Sequence, residues 1–308
     1  MNSVNNKTGD TQFHQIVRQG LEETRIFCES SEFTKSILEV SNNLKQRPLH
    51  IAVASQDNAL VLYLLQKGAE VDSFKKGDWT SLMVSCTLSG PKAHLTTKIL
   101  LDAGANAELK NKDGWTALHL ASKTGQPDTV QLLVNHCPSL VLIASKNGRL
   151  PLHIAALNCH LAVVRVLIKA GGTDTVLSHD VCGTTPVLDA ATGGNTEMLK
   201  FFSSLTDLKW HRDKRGFDCL HKAAQTGNVD ILKFLVRENF ALETETLDGF
   251  SAIMLAAMEN KTGFVREIIK YGAAHNTSSR DIFSLRRGLG KEELIRLFAE
   301  VRGELFYV

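Results

Sequence analysis

Leu150-Pro151-Leu152-His153, followed by Ile154-Ala155-Ala156, decides how this chain folds. Proline suits the first helical position, where its missing N–H would have had no partner. The alanine pair keeps the helix that follows thin, so that another can pack close against it. The same wording recurs in both directions along the chain: Arg47-Pro48-Leu49-His50, Ser81-Leu82-Met83, Thr116-Ala117-Leu118-His119, Thr185-Pro186-Val187-Leu188, Cys219-Leu220-His221 and Ala252-Ile253-Met254. The last residues stand at 50, 83, 119, 153, 188, 221 and 254, spaced by 33, 36, 34, 35, 33 and 33. A near-constant period of this kind marks an array of stacked units rather than one globular core.

Each unit carries a second helical pattern after the thin helix. Val61, Leu64 and Leu65, then Val130, Leu133 and Val134, then Val163, Val166 and Leu167, then Ile231, Phe234 and Leu235 fall at helical spacing. Gly68-Ala69, Gly104-Ala105, Gly171-Gly172 and Gly272-Ala273 follow as stops in the left-handed cap position. The second unit is three residues long for its period, which places an insertion at Ser89–His94, between its helices. The fifth departs at its end, where Phe201-Phe202-Ser203-Ser204 stands without a following Gly-Ala.

With these residues in view, the chain resembles the ankyrin-repeat family over about Asn43 to Asn276, some three quarters of its length. The resemblance implies an all-α solenoid of about seven repeats, each a pair of antiparallel helices with a hairpin-like finger. The repeats are expected at 45–74, 75–110, 111–144, 145–179, 180–212, 213–245 and 246–277. Residues 1–10 are polar and expected to be disordered. Residues 11–44 read as a helical N-terminal cap without the tetrapeptide, with Phe13, Ile16, Val17, Ile26 and Phe27 as its apolar positions. Residues 278–308 read as a C-terminal cap, with Leu294, Ile295, Leu297 and Phe298 on one side of its helix.

Composition narrows the function. Lys+Arg 35 against Asp+Glu 33 leaves +2, so no strong field acts over the whole molecule. Six cysteines stand singly, without a C-x-x-C pair, and read as reduced thiols of an intracellular protein. The expected place is the cytoplasm, with the nucleus as alternative. No apolar run reaches the ~18 residues of a membrane helix. His50, His119, His153 and His221 share one repeat position, where an imidazole bonds backbone between fingers, so no metal site is expected. Phosphate-loop, dinucleotide-loop and nucleophile-elbow motifs are missing from the sequence, and neither an enzyme nor a cofactor is expected.

Variation is free at the finger tips, and there the candidate contacts lie. They are Lys76 and Trp79, Lys112 and Trp115, Lys146 and Arg149, Lys214, Arg215 and Phe217, and Phe250. Aromatic and Arg residues are frequent interface anchors. Each tryptophan either meets a partner or packs on its neighbour's finger. Basic residues with interleaved aromatics also suit single strands. The low net charge, with Asp113, Asp180, Asp213 and Asp248 interrupting the row, favours a protein over nucleic acid. A monomer is expected, with no membrane partner.

Phe74–Met83, Leu109–Trp115 and His136-Cys137-Pro138 depart from the family's consensus wording and resemble the ankyrin-repeat co-regulators of alanyl-tRNA synthetase. That resemblance implies binding to the synthetase catalytic domain and a role in keeping misactivated serine out of protein. It also implies lysine acceptors for that serine at Lys76 and Lys112. Where such proteins carry a third lysine this chain has Leu142, with Lys146 four residues on. The chain is also read with one repeat fewer near its N-terminus. The alternatives are plain solvated lysines and a generic adaptor for another intracellular protein.

Overall fold

A computed structural model describes residues 7–273 and 288–302, without the side chains of Phe298, Val301 and Arg302. Its helices are α1 (Gln12–Gln19), α2 (Leu21–Cys28), α3 (Pro48–Ala54), α4 (Asn58–Gln66), α5 (Ser81–Ser85), α6 (Pro91–Asp102), α7 (Ala117–Thr124) and α8 (Pro127–His136). These continue as α9 (Pro151–Leu157), α10 (Leu161–Gly171), α11 (Pro186–Gly193), α12 (Thr196–Ser203), α13 (Cys219–Thr226), α14 (Val229–Arg237), α15 (Ala252–Met258), α16 (Thr262–Lys270) and α17 (Lys291–Arg302). Among the described residues the only β pairing is two isolated bridges, Lys75 with Trp79 and Glu245 with Ser251. The fold is the all-α ankyrin-repeat solenoid class that the repeat implied.

The chain divides into two compact units, residues 1–151 with 162–172, and 152–161 with 173–308. In the first unit, α3 packs on α1 and on α5, and α5 packs on α7, so thin helices stack on thin helices. Their partners do likewise, α4 on α2 and α6, and α6 on α8. In the second unit α13 lies between α11 and α15, and α14 between α12 and α16. Small residues allow the close approach: Ala52, Ala121, Ala190, Ala191, Ala223, Ala224, Ala256 and Ala257 are all fully buried.

The recurring histidine ties one repeat to the next. In α7, the Thr116 backbone N–H donates to His119 Nδ1 at 3.2 Å, and His119 Nε2–H donates to the Arg149 carbonyl at 3.0 Å. His50 reaches the Trp79 carbonyl at 3.3 Å, and in the second unit His153 reaches the Thr184 carbonyl at 3.0 Å and His221 the Phe250 carbonyl at 3.2 Å. In the fifth unit, where the histidine is missing, a different residue steps in. Leu188 holds its position in α11, and His211 comes back from the next loop to bond the Thr185 hydroxyl at 2.9 Å.

The N-terminal segment carries the same device, which its sequence concealed. Thr11 caps α1, the Thr11 N–H donates to His14 Nδ1 at 3.2 Å, and His14 Nε2–H donates to the Gln46 carbonyl at 2.9 Å. Thr11-Gln12-Phe13-His14 is therefore a form of the tetrapeptide without its proline and leucine. The segment read as a cap lacking the motif is a further helix pair of the repeat pattern. Residues 7–10, expected to be disordered, bond to the next finger: Asn43 N–H donates to the Thr8 carbonyl at 3.1 Å, and Asn42 Nδ2 to Asp10 Oδ1 at 2.7 Å. Residues 1–6 of the expected disordered start lie outside the described residues.

Other local expectations meet specific structure. Of the stretch Ser89–His94 expected between the helices, only Ser89 and Gly90, at φ +92°, lie there; Pro91 opens α6, and Pro91–His94 form its first turn. The end of α12 replaces its missing Gly with serine: the Ser203 hydroxyl donates to the Lys200 carbonyl at 2.9 Å and the Ser204 hydroxyl to the Phe201 carbonyl at 2.7 Å. At the C-terminus, α17 packs on α16 and buries Leu294 and Leu297, whereas Ile295 stands 37% exposed, off the side on which it was expected. The Phe298 side chain, and residues 278–287 and 303–308 of the expected cap, lie outside the described residues.

Candidate protein-binding surface

Several fingers are held by the side chain that opens them, while the finger at Lys75 closes on its own backbone, Lys75 N–H donating to the Trp79 carbonyl at 2.9 Å. Asn111 Oδ1 accepts from the N–H groups of Asp113 and Trp115, both at 2.9 Å, and Asn42, Asp180 and Asp213 make the same turn in their own fingers. Two of the acidic residues expected to interrupt the basic row, Asp180 and Asp213, thus turn their carboxylates onto finger backbone.

Neighbouring fingers are joined by their main chains. In the first unit, Lys76 N–H donates to the Leu44 carbonyl at 2.9 Å, Lys112 N–H to the Gly77 carbonyl at 3.1 Å and Lys146 N–H to the Asp113 carbonyl at 3.1 Å. Gly114 makes this approach possible. Its φ is +78°, and a Cβ there would sit 2.5 Å from Lys146 N. The three lysines therefore occupy one register position on three successive fingers, and all three side chains are exposed.

The aromatic row lies beside them. Trp79 is half-buried, with Lys75 Nζ 5.2 Å from its ring centroid. Burial pushes the Lys75 amine below its ordinary pKa. Trp115 is half-buried and stacks on His119 at 5.9 Å, with Lys123 Nζ 5.7 Å from its ring. Each indole is covered by side chains of its own repeat and leaves part of its surface to solvent. Arg149 takes the same position in the next finger and is also half-buried.

The second unit departs from expectation. Phe217 was a candidate contact, but it is 4% exposed, edge-on to His221 at 5.8 Å and covered by Lys222 Nζ at 4.7 Å and Arg215 at 5.2 Å. It is a packing residue. Lys214 and Arg215 are exposed, but the first donates from Nζ to the Val181 carbonyl at 2.8 Å and the second pairs with Asp248 at 2.7 Å. Phe250 is half-buried, and its carbonyl holds His221.

Burial sets the histidine chemistry. His50 loses its hydration in the stack, which lowers its pKa to about 4, and burial lowers His211 to about 4 as well. Asp218 is also desolvated, which alone would raise its pKa, but its bond to His221 Nδ1 at 2.7 Å, together with those from the His221 N–H and the Thr244 hydroxyl, outweighs this and holds the carboxyl below its ordinary value. Cys86, fully buried, is pushed up to about 12 and is no nucleophile. Among the described residues no group of three His, Cys, Asp or Glu side chains is placed to hold a metal ion, and no helix is long and apolar enough to cross a membrane.

Sequence reading missed two features. His14 carried a signal only in its spacing from His50. Trp210 carried none in the repeat pattern, because it precedes the finger rather than forming part of it.

Stacked helix pairs with a row of exposed side chains on joined fingers define a repeat scaffold that presents a surface to another molecule. The family model for ankyrin repeats matches residues 46–76, 82–179, 172–244 and 187–281. The chain belongs to the ankyrin-repeat family. It is similar to human B-cell lymphoma 3 protein, 32% identical over 50% of this chain and 35% of that protein. It is also similar to mouse Rabankyrin-5, 26% identical over 75% of this chain and 18% of that one, and to tyrosine-protein kinase HTK16 of Hydra vulgaris, 28% identical over 51% and 21%. The chain spans about a third or less of the length of these relatives.

Proposed function

We propose that this chain is a non-enzymatic protein-binding module whose contact surface is the finger row of its first unit, Lys76, Trp79, Lys112, Trp115, Lys146 and Arg149. One observation carries the reading: three exposed lysines are held in register by finger-to-finger hydrogen bonds of 2.9 to 3.1 Å, beside two indoles that are partly open to solvent. The partner we propose is the catalytic domain of alanyl-tRNA synthetase, and the role is to limit serine misincorporation in the cytoplasm or nucleus. The wording of Phe74–Met83 and Leu109–Trp115 supports this partner. The alternative is an adaptor for a different intracellular protein, which is favoured by the breadth of the relatives, one of them a tyrosine kinase.

The proposed acceptor chemistry is simple. An unprotonated amine of Lys76 or Lys112 attacks the acyl carbon of seryl-adenylate, the C–N bond forms as the bond to phosphate oxygen breaks, AMP leaves, and the amine proton passes to water. Capture depends on proximity within the complex. Incubating the chain with the synthetase, serine and ATP and measuring intact mass tests it. A seryl adduct should form and disappear when Lys76→Arg and Lys112→Arg are combined, with the complex still intact. An adduct that survives both substitutions contradicts the assignment.

A further inference from the structure

Trp210 is 81% exposed, on a backbone that is pinned on both sides. The short 3-10 turn Leu208–Trp210 is capped by Asp207, which accepts from the Lys209 N–H at 2.9 Å. Leu208 is buried. So is His211, whose Nδ1 lies 2.9 Å from the Thr185 hydroxyl and whose Nε2 lies 3.3 Å from that of Thr206. The indole is therefore displayed from a fixed turn, and its exposure does not come from slack in a loop. An apolar body of this size, held in water on an ordered segment, has the form of an interface anchor.

Its surroundings are cationic. Lys209, Arg212, Lys214 and Arg215 lie within seven residues and are all exposed. The acid among them, Asp213, faces inward, accepting from the N–H groups of Arg215 and Phe217 and from Lys222 Nζ at 2.8 Å. Arg215 stands 2.7 Å from Asp248 in an exposed pair that a competing carboxylate exchanges at little cost, and the half-exposed Arg212 stands 3.6 Å from the buried Asp218. Leu177 holds the place of Trp210 in the preceding repeat and is exposed, as are Val181 and Leu247 on the fingers flanking Lys214. These fingers are joined as in the first unit: Lys214 N–H donates to the Cys182 carbonyl and Leu247 N–H to the Arg215 carbonyl, both at 2.9 Å.

We propose that this patch of the second unit docks an acidic protein segment. An apolar side chain of that segment rests on the Trp210 indole, and its carboxylates meet Lys209, Arg212 and Arg215. The occupant follows from charge complementarity. The exposed apolar residues of the preceding repeat and flanking fingers are the aliphatic Leu177, Val181 and Leu247, which suit side chains, whereas single-stranded nucleic acid needs successive aromatic platforms. The patch lies within the second unit and uses none of the residues proposed for the finger row of the first.

Fluorescence anisotropy with the full chain tests it, using a fluorescein-labelled peptide of glutamates around a leucine pair, its glutamine counterpart and an oligo-dT of equal length. The glutamate peptide should bind at low salt and the glutamine peptide should not. Trp210→Ala should weaken binding about tenfold, as loss of an anchor does, and Lys209→Glu with Arg212→Glu should abolish it. Trp210→Ala should melt with the parent, since the indole lies in solvent. Binding that ignores these substitutions overturns the proposal, and so does failure of the glutamate peptide to saturate. A large fall in melting temperature for Trp210→Ala would make the indole structural. Tighter oligo-dT binding through the same residues would make the surface a nucleic-acid site. Self-association in sedimentation that Trp210→Ala removes would make a second copy the occupant. Each of these three also overturns the proposal.

Discussion

At the residue scale, the histidines bear more of the structure than their number suggests. His50 and His211 are neutral when folded, with pKa about 4, against about 6.5 in an unfolded chain. A depressed histidine pKa stabilises the fold above the unfolded value and loses that contribution as pH falls through 6.5 towards 4. Full loss is worth about 3 kcal/mol per histidine, and the drop from pH 7 to pH 5 about 2 kcal/mol for each. Urea unfolding followed by circular dichroism should show this decline, and a flat profile between pH 7 and pH 5 would contradict it. The tetrapeptide histidines were legible because the sequence repeats them. His211 was not, because it replaces a missing side chain from a different place in the chain, and the need it fills appears only when Thr185 and His211 are seen together.

At the element scale, the thin helices and the fingers respond to different changes. Leu118 in α7 is fully buried. Leu118→Asp places an unpaired charge between stacked helices and should cost about 4 kcal/mol, read from chemical denaturation. Fingers are sensitive to added bulk. Gly114→Ala puts a Cβ 2.5 Å from Lys146 N at φ +78°, whereas Gly104 at φ +86° has open space around it. Gly104→Ala should cost about 1 kcal/mol from backbone strain alone, and Gly114→Ala clearly more. Equal costs at the two positions would mean that the fingers are not joined as described. Helix spacing and glycine stops were readable in the sequence, since each has a fixed chemical signature. The burial of Phe217 was not: it follows from how the Lys222 and Arg215 side chains fold over the ring, which their spacing in the chain does not specify.

At the scale of the whole molecule, stability in a repeat array is a sum of units and their nearest-neighbour interfaces. Damage should therefore stay local. With Leu118→Asp, hydrogen exchange should rise most in α5 to α8 and least in α15 and α16; a uniform rise over all helices would argue against this architecture. A net charge of +2 leaves partner choice to local rows of side chains rather than a global field. The central proposal is that one such row, on the first unit, binds the catalytic domain of alanyl-tRNA synthetase. Titrating the chain calorimetrically with the alanyl-tRNA synthetase catalytic domain, as parent and with Lys76→Glu, Lys112→Glu and Lys146→Glu combined, tests it most directly. The account predicts saturable binding by the parent, at least about tenfold weaker binding by the variant and unchanged melting. A variant that binds as the parent does, or a parent that does not bind, would contradict it.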